Sequence, residues 1–184
     1  MDSLCKVFEG WEGYNTSLIH AVEPLTADQL QFRPVASMRS VGEVAAHIAL
    51  GRIDWFRRMS APGSADLVQQ LVNDGLMSGD RIDETPIAND VAAIVEWLTR
   101  SWEMVARTLA EWTVDDLAKW YPHTYRDRTY AVSRQWTIWR IMAHDIHHGG
   151  QLSMMLAMPG IEPDELTGLG GHLTEVPLVS DIQG

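Results

Sequence analysis

The chain has 184 residues, with 14 Lys and Arg against 25 Asp and Glu, which gives a formal net charge of −11. The length fits one domain with an extension, and an apolar content of 46% excludes a disordered chain. Because no basic stretch is present that would follow a phosphate backbone, nucleic-acid binding is not expected.

The first predicted helix covers the opening segment. Apolar residues recur from Leu4 to Leu25 at alternating spacings of four and three, interrupted only by Asn15, which is one stripe of an amphipathic helix. Pro24 is expected to end this helix. Residues 26–34 carry a Thr cap and a Pro stop, and they predict a short helical turn or connector.

The second predicted helix begins after Ser40 and runs to about Arg58. Ser40 and Glu43 fit a capping box, in which each side chain satisfies a free N–H of the first turn. An apolar face is flanked by a polar stripe that includes Glu43, His47, Asp54 and Arg58. Residues 60–88 contain several Gly and Pro and no sustained period, so they predict a long crossover with room for a turn of helix at 65–72.

The third predicted helix spans Val91 to Trp112. Its apolar residues again alternate by four and three, the 3.5-residue period of nearly aligned bundle helices. Residues 119–133, which follow it, fit either a short β-hairpin or an irregular connector.

The fourth predicted helix covers about 133–156. Apolar residues occupy most of its circumference, and a helix of this kind is normally buried. Its polar residues share one sector, which would then need buried partners: Thr137, Arg140, His144, His147, His148 and Gln151. The last segment, 159–184, is rich in Gly and Pro and predicts an extended tail that packs on the bundle or on a neighbouring subunit.

Cysteine content and hydropathy indicate the cellular setting. Cys5 is the only cysteine, so no intrachain disulfide can form. The first residues lack the basic start and apolar stretch of a secretory signal, and no run of about 18 apolar residues is present that would span a bilayer. We therefore expect a soluble, cytoplasmic protein without a membrane partner.

Candidate metal ligands lie on the second and fourth predicted helices. His144 precedes His147 by three residues and His148 by four, so either pair projects from successive turns close enough to share an ion. His47 lies near the middle of the second helix. Three neutral imidazoles from two facing helices suit Zn²⁺, Ni²⁺, Fe²⁺ or Mn²⁺ and leave positions for water or substrate, which is typical of a catalytic ion.

Each of these features also has a structural interpretation. The histidine pair fits a hydrated helix face, and His47 taken alone fits a solvated stripe better than a ligand. Arg140, one turn before His144, suits a salt bridge or an anion clamp at the mouth of the site. Gly149 and Gly150 together cost about 2 kcal/mol relative to two alanines, which indicates a closely packed neighbouring helix or access for a substrate or ion.

The segments VGEVAAHIALGRIDWF and SRQWTIWRIMAHDIHHGGQLSMML resemble the DinB/YfiT-like family of four-helix-bundle metalloenzymes. The resemblance extends from the first helix to about Met158. It implies an all-α four-helix bundle over 1–158, with a long crossover between its second and third helices and the tail at 159–184. It also implies a divalent ion held by His47, His144 and His148, and so selects His148 over His147. Many relatives have HHRGQ where this chain has HHGGQ, which removes a basic residue at Gly149.

The activity implied by this resemblance involves a thiol. Family members include S-transferases and isomerases that use a low-molecular-weight thiol such as mycothiol or bacillithiol, which the metal binds and activates. We therefore expect a metal-dependent, thiol-dependent S-transferase acting on a small molecule, and a homodimer. We expect Arg140 and Gln151 to orient an anionic or amide-bearing substrate. The alternatives are a metal-dependent hydrolase and a non-catalytic metal-binding stress-response protein.

Overall fold

The structure, a computed structural model, describes residues 3–163 and Leu166. Two 3₁₀ turns lie within this part, at Leu4–Lys6 and Thr85–Ile87. The α-helices in it are α1 (Trp11–Val22), α2 (Ala27–Leu30), α3 (Val41–Arg58), α4 (Ser64–Asn73), α5 (Val91–Glu111), α6 (Val114–Leu117) and α7 (Arg134–Ala157).

The long helices α1, α3, α5 and α7 form a four-helix bundle, which confirms the predicted fold class. Helix α3 packs against both α5 and α7, and α1 packs against the same two helices. The side chains that fill the interior come from all four helices and are completely buried, as burial of their apolar area requires. They include Leu18, Ile48, Ile53, Leu98, Ile138 and Leu152.

Side-chain caps set the starts of the two helices that carry the candidate site. The Ser40 hydroxyl accepts a hydrogen bond from the Glu43 amide at 3.2 Å, and the Glu43 carboxylate accepts one from the Ser40 amide at 3.0 Å. The Ser133 hydroxyl accepts from the Trp136 amide at 3.1 Å and caps α7. Each such cap stabilises a helix by about 1 kcal/mol. The predicted capping box and the predicted start of the fourth helix are both present.

The first helix is shorter than its apolar stripe predicts. It begins at Trp11 rather than near Leu4, because Gly10 has a left-handed backbone with φ of 94° that interrupts the helix. The residues before it form only the turn Leu4–Lys6. Its end at Val22, just before Pro24, agrees with the prediction.

The crossover and the last connector both hold small antiparallel strand pairs. The crossover contains the predicted helical segment as α4, followed by β1 (Met77–Ser78) paired with β2 (Arg81–Ile82). Between α6 and α7 lies the hairpin of β3 (Trp120–Tyr125) and β4 (Arg128–Ser133), the first of the two alternatives for that segment. Its turn residues Arg126 and Asp127 have φ of 47° and 60°, as a two-residue hairpin turn requires.

The expectation that the fourth helix is buried all round is wrong. Trp139, Ile146 and Met154 expose 61%, 46% and 66% of their surface along one side of α7. A helix in a four-helix bundle turns only part of its circumference toward the other three, so the opposite side faces outward. Apolar residues on that outward side extend the apolar pattern without being buried.

The predicted tail falls mostly outside the described residues. Within them, Leu166 is buried with the bundle core and Ile161 packs against that core. The tail and the division of the chain at residue 158 therefore remain predictions. No helix in the described part of the chain is both long and apolar enough to cross a membrane.

Candidate metal centre

Three of the predicted histidines meet between two helices. His47 comes from α3, and His144 and His148 come from successive turns of α7. One ring nitrogen of each lies within 4.8 Å of the others, and the Nε2 atoms of His47 and His144 are 3.2 Å apart. His147 is exposed and lies outside this group. The fold thus brings together the set that includes His148, not the one that includes His147.

A glycine allows the two helices to approach at this point. Gly51 follows His47 by one turn on α3, and a Cβ atom placed there would lie 3.1 Å from Cε1 of His144. That distance is shorter than an ordinary van der Waals contact, so a larger residue would push the His144 ring. The small residue therefore keeps the His144 ring against α3, where it meets His47.

Two of the three imidazoles have an oxygen partner at Nδ1. The Glu84 carboxylate lies 3.6 Å from Nδ1 of His47, an ion-pair distance longer than a hydrogen bond. The Gln151 side-chain oxygen lies 2.7 Å from Nδ1 of His148, where it accepts a hydrogen bond from the ring. An acceptor at Nδ1 favours the tautomer that carries its proton there and its lone pair on Nε2. Both rings are thereby prepared to ligate through Nε2.

The third imidazole is next to a buried ion pair. Asp145, the residue after His144, is completely buried and accepts hydrogen bonds from Nε of Arg52 at 2.8 Å and from Nε1 of Trp11 at 2.9 Å. Its other oxygen lies 3.6 Å from Nδ1 of His144, and neither of these two atoms has a hydrogen-bond partner among the described residues. A slight movement would bring Nδ1 of His144 into hydrogen-bond contact with this Asp145 oxygen. The His144 ring would then also carry its proton on Nδ1 and its lone pair on Nε2.

Three residues beside the cluster are not predicted by the sequence pattern: Glu84, Asp145 and Arg52. Glu84 lies in the irregular crossover, where no periodicity places a side chain. Asn15 did give a signal, because it is the one polar residue in an apolar helical stripe. It is buried and accepts a hydrogen bond from Nη1 of Arg52 at 2.6 Å, so the interruption marks a buried polar network.

Two pKa values near the cluster are strongly shifted. The His47 ring, and after it the Arg39 guanidinium, hold the pKa of Glu84 at about 2 against the opposing effect of burial. Burial lowers the pKa of His148 to about 4, and the neighbouring imidazoles add to this. At neutral pH, Glu84 is therefore a carboxylate and His148 is a neutral imidazole, the form that binds metals.

The two predicted substrate-binding residues occupy different places. Arg140 lines a cavity of about 370 Å³ together with His47 and His144. Gln151 lines a separate cavity of about 130 Å³ on the His148 side of the cluster. Since the Gln151 oxygen is bonded to His148, its visible role is to orient that ring.

The paired glycines of α7 have different surroundings. A Cβ atom at Gly149 would overlap the Tyr14 hydroxyl of α1, which agrees with the predicted close packing of a neighbouring helix. A Cβ atom at Gly150 would have no described neighbour within 4 Å. The packing explanation therefore holds for Gly149 alone.

Comparison with known proteins agrees with this architecture. The family model described as the DinB superfamily matches residues 15–152, which include all three clustered histidines. The fold is similar to the crystal structure of a DinB-like protein from Bacillus cereus, with a TM-score of 0.59 and 18% identity over 82% of this chain and 88% of that one. No curated protein matches the sequence significantly.

Proposed function

Because the chain belongs to the DinB superfamily, and because three of its imidazoles converge from two helices, we propose that it is an enzyme dependent on a divalent metal ion held by His47, His144 and His148. The convergence of ring nitrogens within 4.8 Å is the observation that carries this proposal. Nitrogen donors of this kind suit Zn²⁺, Ni²⁺, Fe²⁺ and Mn²⁺, and the choice among them depends on geometry and availability.

The chemistry of the donors supports the proposed site. All three rings are partly buried, and the oxygen partners of His47 and His148 favour the tautomer whose Nε2 is free to ligate. Three ligands leave positions open on an ion of four or more coordination sites. A divalent ion bound there would lower the pKa of a water or thiol and supply a nucleophile near neutral pH.

Two other residues of the cavity would bind the substrate and orient a metal ligand. Arg140 lines the same cavity as His47 and His144, so an anionic group on a substrate can pair with its guanidinium. Glu84 lies 3.6 Å from Nδ1 of His47, whereas Nε2 of that ring faces His144. Among the possible reactions we propose thiol-dependent S-transfer to a small electrophile, on the ground of the family resemblance described above.

Metal titration of the full-length protein, stripped with a chelator, tests the proposed site. Calorimetry with Zn²⁺ and Ni²⁺ should show one ion per chain, and His47→Ala, His144→Ala and His148→Ala should each weaken binding at least tenfold. His147→Ala is the matched control, because it removes a neighbouring but exposed imidazole. Unchanged affinity in the three cluster variants would refute the site.

Turnover assays test the reaction. The metal-loaded protein should convert 1-chloro-2,4-dinitrobenzene only when a low-molecular-weight thiol is supplied: the C–S bond forms, chloride leaves and the thiol proton passes to solvent. Ester cleavage without any thiol would instead establish the hydrolase alternative. Metal binding without turnover in either assay would favour the non-catalytic alternative.

We also propose that the protein is a homodimer, and the outward side of α7 supports an interface. Trp139, Ile146 and Met154 are exposed along that side, and exposed apolar patches often mark contact surfaces. Light scattering should give twice the 20.7 kDa of one chain, and Met154→Glu should shift the mass toward one chain. A wild-type mass of one chain would overturn this proposal.

A further inference from the structure

A second, larger cavity adjoins the one that holds the histidines. It has a volume of about 800 Å³ and lies between the β3–β4 hairpin and helices α3 and α7. This volume is in the range of small-molecule sites in proteins. More than half of the described residues that line it carry aromatic rings, and one carries a formal charge. The residues used below are Trp55, His123, Tyr125, Tyr130, Trp136 and Arg140.

The aromatic walls are unusually exposed for side chains of their size. Tyr125, Tyr130 and Trp136 expose 55%, 46% and 43% of their surface, although they surround a single cavity. An apolar ligand that covers such a cluster removes aromatic surface from water, which favours binding. Trp136 also contacts Trp55, with ring centroids 5.9 Å apart, so the two indoles form one continuous wall.

Among the described residues that line this cavity, Arg140 is the only one with a charged side chain at neutral pH. Its guanidinium lies 4.9 Å from the Trp55 ring centroid and 5.2 Å from that of Trp136, at distances typical of cation–π contacts. No carboxylate in the described part of the chain lies within 4 Å of it, and no hydrogen bond to it is formed there. By contrast, Arg57 and Arg58 are both paired with Asp54. Arg140 therefore keeps its donors and its charge available to a ligand.

The charges around the cavity determine whether its ligand is an anion or a cation. Burial, followed by Arg58 and Arg140, lowers the pKa of His123, so this wall residue is neutral at neutral pH. A quaternary ammonium ion, which aromatic walls alone would suit, meets the positive Arg140 here. For an anionic group, the Arg140 guanidinium offers a planar set of N–H donors that matches a carboxylate or sulfonate.

We propose that this cavity binds a planar aromatic molecule that carries one anionic group, with the ring against the wall of Trp136 and Tyr130 and the anion on Arg140. Trp55 and Arg140 line this cavity and the histidine cavity alike, so the two compartments adjoin. A planar aromatic anion that also carries an electrophilic centre is thus the class of co-substrate that the metal-dependent reaction would accept. That last assignment rests on the proposed function, whereas binding of the aromatic anion does not.

Calorimetry on the metal-free, full-length protein tests the proposal. The probes are 2-naphthoate and 2-naphthalenemethanol, which share a ring system and differ in charge. Naphthoate should bind at least about tenfold more tightly, because a charge-assisted pair with Arg140 is worth roughly that factor. Arg140→Gln should reduce naphthoate binding to the level of the neutral probe, and Trp136→Ala should weaken both probes.

Two variants serve as controls for this test. Arg100→Gln removes another arginine that lies over a tryptophan, at 5.8 Å from Trp97, but lies outside this cavity. Trp120→Ala removes an exposed indole that does not line this cavity. Both should bind naphthoate as the wild type does. Equal affinity for the two probes, wild-type binding by Arg140→Gln, or no saturable binding of naphthoate would each overturn the proposal.

The same measurements separate this proposal from that of the metal site. His47→Ala removes a proposed metal ligand that does not line the aromatic cavity, and it should leave naphthoate affinity unchanged. A protein that binds naphthoate in this manner but no metal would refute the metal site alone. A protein that binds metal but does not distinguish the probes would refute the aromatic-anion site alone.

Discussion

Arg52 and Asp145 form an ion pair in the interior of the bundle, 2.8 Å apart and with neither side chain exposed. The pair joins α3 to α7 directly beside His144, and Trp11 and Asn15 of α1 each form a hydrogen bond to it. Because two buried charges are costly unless each has its partner, this pair couples the packing of three helices to the position of a candidate ligand.

We expect Asp145→Asn to destabilise the metal-free protein by about 3–5 kcal/mol, since it leaves the buried Arg52 charge without a counter-ion. The control is Asp54→Asn, which breaks partly exposed pairs with Arg57 and Arg58 and should cost about 1 kcal/mol or less. Urea unfolding followed by circular dichroism measures both. A similar loss in the two variants would contradict the importance of the buried pair.

Glu84→Gln should lower metal affinity about 10–100-fold, because the carboxylate that orients His47 is lost while the three ligands remain. Its neighbour Asp83 is exposed and accepts a hydrogen bond from the Thr85 amide, away from the cluster. Asp83→Asn should therefore bind metal like the wild type. Competition calorimetry with a chelator of known affinity makes the comparison, and equal affinities in both variants would rule out an orienting role.

The two glycines of α7 should respond to alanine in opposite directions. Gly149→Ala should destabilise the protein by about 1–3 kcal/mol, because its methyl group would displace Tyr14. Gly150→Ala should stabilise it by about 0.5–1 kcal/mol, because the site is open and alanine favours the helix. Thermal unfolding of the two variants measures this difference. If Gly150→Ala destabilised the protein as much as Gly149→Ala does, Gly150 would also be closely packed.

The stability of the metal-free protein should decrease as the pH falls from about 6.5 to about 4. The pKa of His148 is about 4 in the folded chain, below its ordinary value of 6.5, so the unfolded chain binds more protons over this interval. Stability from this group is thus present above about 6.5 and lost as the pH approaches 4. In an NMR titration, the chemical shifts of the His148 ring should change with a midpoint near pH 4. A midpoint near 6.5 would refute the lowered pKa.

The local sequence pattern predicts most of the secondary structure. The capping box at Ser40 and the cap at Ser133 mark helix starts because they act through neighbours only three residues away. The first helix differs from its local pattern, because Gly10 interrupts an apolar stripe that remains periodic on either side. The local pattern also overestimates the burial of α7, since periodicity shows which residues are apolar but not which side of a helix the bundle covers.

The sequence by itself determined the four amphipathic helices and the spacing of His144 and His148, because both follow from the helical repeat. The family resemblance implied that His47 joins them. Only the tertiary structure decided that Arg52 pairs with Asp145 beside His144 and that Glu84 lies beside His47. It also decided that Trp55 and Arg140 line both cavities. Those relationships join residues far apart in the chain: Arg52 and Asp145 are separated by 93 positions. Packing of whole helices sets such distances, and no local pattern encodes them.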